Sequence, residues 1–153
     1  MSVDVTVERV VRAARPDVAA YVADNRNDPE WIGGISESEL LGDPPVRVGS
    51  RVRRVASFMG RRVEYVNEVI RLDPGSVLEM RSVVSPFPME VAYGFEDAPW
   101  GTRVRIRVAG EPSAWYRVAA PVLSAGVRRS VARDLRRLAD RFERGAGAPS
   151  RSG

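Results

Sequence analysis

The chain has 153 residues, 24 of them basic and 20 acidic, and an apolar fraction of 44%, the size and balance of one globular domain with a single core. Cysteine, histidine and lysine are all absent, which excludes disulfides, thiolate and imidazole chemistry, Schiff-base lysines and Cys- or His-ligated metals. Any reaction must run on carboxylates, tyrosine, hydroxyls, amides, arginine or water, and no cofactor or metal is implied.

Val3, Val5 and Val7 alternate with Asp4, Thr6 and Glu8 and predict a half-buried strand reaching Val11. Pro16 suits a first helical position, Asp17 complements the helix dipole, and Val18, Tyr21 and Val22 supply an apolar stripe. Asp24, Asn25, Arg26 and Asn27 break that helix. A short second helix starts at Asp28-Pro29-Glu30, carries Trp31 and Ile32, and stops at Gly33-Gly34. Strands then follow over 38–41, 51–59, 61–72, 77–84, 89–96 and 102–109, with a tight hairpin at Gly60 and a Pro74-Gly75 turn. Consecutive strands with short turns make an antiparallel meander.

Beyond Gly110-Glu111-Pro112, Ser113 suits a helix N-cap, and Val127, Val131, Leu135, Leu138 and Phe142 step along a long amphipathic helix. Pro121 either opens this helix or kinks it; the kink is preferred because Trp115 and Val118 continue the stripe. Residues 113–144 also hold the chain's excess of positive charge, eight arginines against three acids. Those arginines fall between apolar positions, as on a solvated face, and argue against a nucleic-acid groove. Residues 145–153 read as a disordered tail, leaving 1–144 as a single domain.

This order is α+β: a curved antiparallel sheet in the sequence β-α-α-β6-α, wrapped around a long C-terminal helix. A helix spanning a curved rather than a flat sheet leaves room for an apolar cavity. Strand period sends Val104, Ile106 and Val108 inward, with Met89, Val91, Tyr93 and Phe95, then Leu78 and Met80. It does the same for Val52, Arg54, Ala56 and Phe58, and for Val63, Tyr65, Asn67 and Val69. An inward Arg54 needs either a carboxylate partner or an anionic ligand head, because an unpaired buried guanidinium is too costly.

Several segments in order carry a resemblance. Ala20-Tyr21-Val22-Ala23-Asp24, then Asn27-Asp28-Pro29-Glu30-Trp31, is similar to the N-terminal signature of the START-like, Bet v 1-like superfamily of polyketide cyclases/dehydrases and lipid transport proteins. Val48-Gly49-Ser50-Arg51, Glu68-Val69-Ile70-Arg71-Leu72-Asp73-Pro74, Tyr93-Gly94-Phe95 and Gly101-Thr102-Arg103-Val104 follow in the order of that family, over about residues 3–144. The resemblance implies the helix-grip fold, but it is poorly specific for activity. Trp31, Tyr65 and Asn67 resemble pocket residues of the bacterial aromatase/cyclases; Val69 departs, since those enzymes carry a pocket arginine there.

Two functional expectations stand side by side. The first is a binding module for one hydrophobic or polycyclic, lipid- or polyketide-like molecule, held by Trp31, Phe58, Met80, Met89, Val91, Tyr93, Phe95, Trp115, Val118 and Val122. The second is a cofactor-independent cyclase or dehydratase acting on a carbonyl compound in the same cavity. In it Tyr65 polarises the carbonyl, Asn67 orients an oxygen and Arg54 stabilises an enolate. A basic C-terminal helix docking an acidic partner is a third. No stretch is long and apolar enough to span a membrane and no signal pattern opens the chain, so a cytoplasmic monomer or homodimer is expected.

Overall fold

A computed structural model describes residues 3–58, 60–85, 88–110 and 120–147, with the backbone alone for residues 58, 120 and 145–147. Strand β1 (Val3–Val11) leads through α1 (Arg15–Ala23), a 3-10 turn (Asn25–Asn27) and α2 (Asp28–Trp31) into six consecutive strands. These are β2 (Ile35–Leu41), β3 (Arg51–Phe58), β4 (Arg61–Asp73), β5 (Val77–Val84), β6 (Met89–Ala98) and β7 (Gly101–Gly110). Helix α3 (Ala120–Gly147) follows. All pairings are antiparallel, in the order β1-β7-β6-β5-β4-β3-β2, so the first strand closes beside the last. The α1–α2 segment carries the chain from one edge of the curved sheet to the other.

The period-2 alternation holds on β5, β6 and β7: Leu78, Met80, Val91, Tyr93, Phe95, Val104 and Ile106 are all buried. Outward residues pair ionically across strands: on β7, Arg107 with Asp4 at 2.8 Å and Arg105 with Glu8 at 2.6 Å, and on β3, Arg53 with Glu37, Glu39 and Glu64. Such exposed pairs add little stability, because solvent screens them. Their main effect is to keep the outer face wet. Register breaks between Val66 and Asn67 and between Val69 and Arg71 interrupt the β4–β5 ladder. Bulges bend a strand, and beyond the second one Leu72, not Ile70, packs on the core.

Helix α3 lays Val131, Leu135, Leu138 and Ala139 on the sheet. Tyr21 ties three helices together. Its hydroxyl donates to Glu30 of α2 at 3.0 Å, and its ring meets Phe142 of α3 edge-on at 5.4 Å with the Arg141 guanidinium above it. Strand β2 begins at Ile35, earlier than expected, because Ile35 pairs with Ala56 across a bulge. Helix α3 continues through Gly147, past the expected limit of 144. Pro121 lies in the first turn of the described helix, while the Ser113 cap and the kink joining Trp115 and Val118 fall outside the described residues.

Candidate functional site

The first half of α3 stands off the sheet and leaves a cavity of about 190 Å³, with an adjoining lobe of about 120 Å³. The lobes share a wall of Tyr65, Met89, Val108, Val131 and Asp134. Small side chains make the space: Gly34, Ala56, Ser57, Ala109, Gly110 and Ser130 line the larger lobe where bulkier residues would fill it. Gly34 is required, since a Cβ there would lie 2.7 Å from the Ser57 carbonyl oxygen. The Ser57 N–H donates to the Gly34 carbonyl at 2.8 Å and pins this rim to β3.

The smaller lobe reaches a polar floor. Arg54 on β3 is 5% exposed and donates through Nε to Asp28 Oδ2 at 2.9 Å, with Nη2 also at 2.9 Å. Ser38 donates to the same oxygen at 2.8 Å. Burial alone would lower the Arg54 proton affinity, but the Asp28 charge and the Tyr93 and Tyr65 oxygens outweigh it, so the guanidinium stays protonated. Burial pushes the Asp28 carboxyl up, against the pull of Arg54 and Ser38. Of the two requirements for an inward Arg54, the fold thus meets the first: a carboxylate partner, 26 residues away.

Tyr65 lines both lobes, and burial raises its hydroxyl's proton affinity against the nearby Arg54 charge. Tyr93 is pushed up to about 12, chiefly by burial. Trp31 is 1% exposed, packs edge-on against Tyr93 at 6.2 Å, and lines the smaller lobe. Its indole Nε1, both polar atoms of Asn67 and Asp28 Oδ1 are buried with no hydrogen-bond partner among the described residues. Orphaned donors and acceptors of this kind cost about 1–3 kcal/mol each unless something satisfies them.

Among the residues expected at the site, Trp31, Arg54, Tyr65, Met89, Val91 and Tyr93 line the cavity. Met80, Phe95 and Asn67 are buried in the sheet's inner face but line neither lobe. The side chain of Phe58, together with Trp115 and Val118, lies outside the described residues. Val122 is a correction: it is 57% exposed, and Leu123 lines the cavity in its place. Val122 sits five residues before Val127, about 140° around the helix, whereas Leu123 is one turn before it.

Asp134 is the residue the sequence reading missed. It is 8% exposed, lines both lobes, and accepts the Gly33 N–H at 2.9 Å and Arg137 Nη1 at 3.1 Å, both on Oδ1. Burial pushes its carboxyl up to about 6, against the Gly33 hydrogen bond and the Arg137 and Arg133 charges. The signal was available: seven residues from Val127 is about two turns, so Asp134 belongs to the apolar stripe. Among the described residues no cluster suits a metal ion, and no described helix is long and apolar enough to cross a membrane.

Residues 2–143 match the family described as polyketide cyclase / dehydrase and lipid transport. No curated protein matches the chain. Among solved structures, TTHA0849 from Thermus thermophilus superposes with a TM-score of 0.80 at 20% identity, covering 94% of this chain and 99% of that one. A START superfamily protein from Mycobacterium smegmatis superposes at 0.77 with 18% identity, over 94% and 97% of the two chains. The Zhui aromatase/cyclase from Streptomyces sp. R1128 does so at 0.79 with 17% identity, over 100% and 99%. These likenesses establish a shared fold, and with the family match over nearly the whole sequence they place this chain in the polyketide cyclase/dehydrase and lipid transport family, on the START-like, Bet v 1-like helix-grip fold.

Proposed function

We propose that the protein binds one hydrophobic small molecule, polycyclic or lipid-like, in the space between the sheet and α3. The observation that carries this reading is the cavity of about 190 Å³ walled mainly by Val63, Val108, Val127 and Val131, with Tyr65 and Asp134 as polar points. At about 24 cal/mol per Å³, a closed void of that size would forgo up to about 5 kcal/mol of packing, which sets the upper bound on what a fitting ligand could restore. Burying about 300 Å² of ligand at about 25 cal/mol/Å² gives roughly 7 kcal/mol before association costs, so affinity no tighter than about micromolar is expected. The test is calorimetric titration with 2-methylnaphthalene against wild type and Ala56→Leu, which fills the larger lobe. Saturable one-to-one binding that is lost in Ala56→Leu supports the reading; equal binding to both proteins, or none to wild type, overturns it.

A second reading is catalysis of the cyclase or dehydratase type, favoured by Tyr65, whose side chain lines both lobes within the field of Arg54. Tyr65 polarises a carbonyl or donates its proton, and Arg54, already held by Asp28, steadies negative charge developing beside it. Asn67 orients an oxygen in this scheme only if a rotation brings its unpaired amide to the lobe. Tyr65→Phe then abolishes turnover of a poly-β-carbonyl substrate while leaving binding within about tenfold; full activity in that variant removes the assignment.

A further inference from the structure

The apolar cavity carries one feature that a container for hydrocarbons does not need. Asp134 projects from α3 into the shared wall of both lobes, across from Tyr65 on β4 and Arg54 on β3. Its Oδ1 is occupied by the Gly33 N–H and by Arg137, while Oδ2 has no hydrogen-bond partner among the described residues. Arg137 is half exposed and Arg133 is exposed, so solvent weakens their hold on the carboxylate. Arg54 is committed to Asp28. A carboxylate with one oxygen left unpaired among the described residues therefore lines an otherwise apolar cavity.

We propose that Asp134 makes the cavity selective for a neutral ligand carrying a hydroxyl donor, a phenol or alcohol on a polycyclic frame, accepted by its carboxylate. The inference rests on the small-molecule reading above and narrows its ligand class. A neutral donor is favoured over an ammonium group because Asp134 already has Arg137 as a cationic partner at 3.1 Å and the neighbouring Arg54 and Asp28 neutralise each other, so the site holds no excess negative charge for a second cation. The hydrogen bond from a hydroxyl to an ionised carboxylate is of the strong kind, worth about ten- to a hundredfold in affinity inside a cavity. The groups facing Asp134 are Arg133, Arg137, Tyr65 and the Gly33 N–H, with Arg54 and Asp28 beyond; burial pushes the Asp134 carboxyl up to about 6 and the Asp28 carboxyl, bonded to Arg54, in the same direction. The hydroxyl preference consequently grows as pH rises through that value.

The experiment is calorimetric titration of the full chain with 2-naphthol and with 2-methylnaphthalene, which differ by a hydroxyl against a methyl of similar size, between pH 5 and pH 8, below the ionisation of the naphthol. Wild type is expected to prefer 2-naphthol at least about tenfold at pH 7.5, and clearly less at pH 5. Asp134→Asn keeps an acceptor for Gly33 and is expected to show a smaller preference with no pH dependence. Asp134→Leu is expected to lose the preference while binding 2-methylnaphthalene at least as well as wild type. A preference unchanged in both variants, or tighter binding of 2-naphthylmethylamine than of 2-naphthol, overturns the inference and leaves the binding site intact. Failure of wild type to bind either naphthalene removes the small-molecule reading itself, and the inference with it.

Discussion

The two ends of α3 lie on the same sheet and pack differently. Toward the C-terminus Leu135, Leu138 and Ala139 are fully covered and meet Val11, Val104, Phe95 and Trp31 in one continuous core. Toward the N-terminus Leu123, Val127 and Ser130 look onto Ala56, Ser57 and Ala109 across open space. Large side chains opposite large ones close the first region, and small ones beneath the helix leave the second hollow. On the proposed binding reading, stability is concentrated in the closed half and binding in the open half. Asp134 stands at the boundary, one residue before the first fully packed leucine.

The largest effect is expected at the buried Arg54–Asp28 pair, at the floor of the smaller lobe. Arg54→Ala strands a buried carboxylate and is expected to cost about 3–5 kcal/mol by denaturant unfolding, with much of the loss recovered by adding Asp28→Leu. Next, Leu135→Ala in the closed half should cost about 3 kcal/mol, whereas Val127→Ala beside the existing void should cost less than about 1 kcal/mol. Equal losses at the two positions would mean that the halves are packed alike.

Asp134 sharpens the comparison through pH. An unfolded aspartate titrates near 4, and this one at about 6 in the fold, chiefly because of burial. Between those values the native state keeps a proton that the unfolded chain has released, so stability falls as pH rises from about 4 to about 6, by about 3 kcal/mol in all. Asp134→Asn should therefore unfold at higher denaturant than wild type at pH 7.5, with the gain vanishing near pH 4. An Asn variant less stable at pH 7.5 would show that the ionised carboxylate holds the Gly33 loop in a way the amide does not.

The smallest effect lies outside both halves. Trp100 occupies the β6–β7 turn at φ +68° and is 91% exposed, a conformation that favours glycine. Trp100→Gly should raise stability by about 0.5–1 kcal/mol and leave ligand affinity unchanged.

The inner faces of β5 to β7 were legible because a strand's period is two and one face must be dry; Tyr93, Val104 and Ile106 required nothing more. The cavity itself was legible only as a consequence of curvature. Its volume is a small difference among many packed side chains, and no single residue encodes it. Asp28 was visible as a helix-starting residue, yet nothing local announced that it would neutralise Arg54 across 26 positions. Asp134 was overlooked for the opposite reason: on an arginine-rich helix an aspartate reads as part of the wet face, and only its phase relative to Val127 and Val131 betrays it. Val122 lies near the stripe in sequence but off it in phase.

The division between the halves is tested most directly by NMR of Val- and Leu-methyl-labelled protein titrated with 2-methylnaphthalene. Saturable shifts concentrated on Val63, Val108, Leu123, Val127 and Val131, with Val104, Leu135 and Leu138 nearly still, are the expected result. Shifts centred on the packed leucines or on exposed Val48 and Val84, or no saturable shift at all, would contradict the claim that the open half is the binding site.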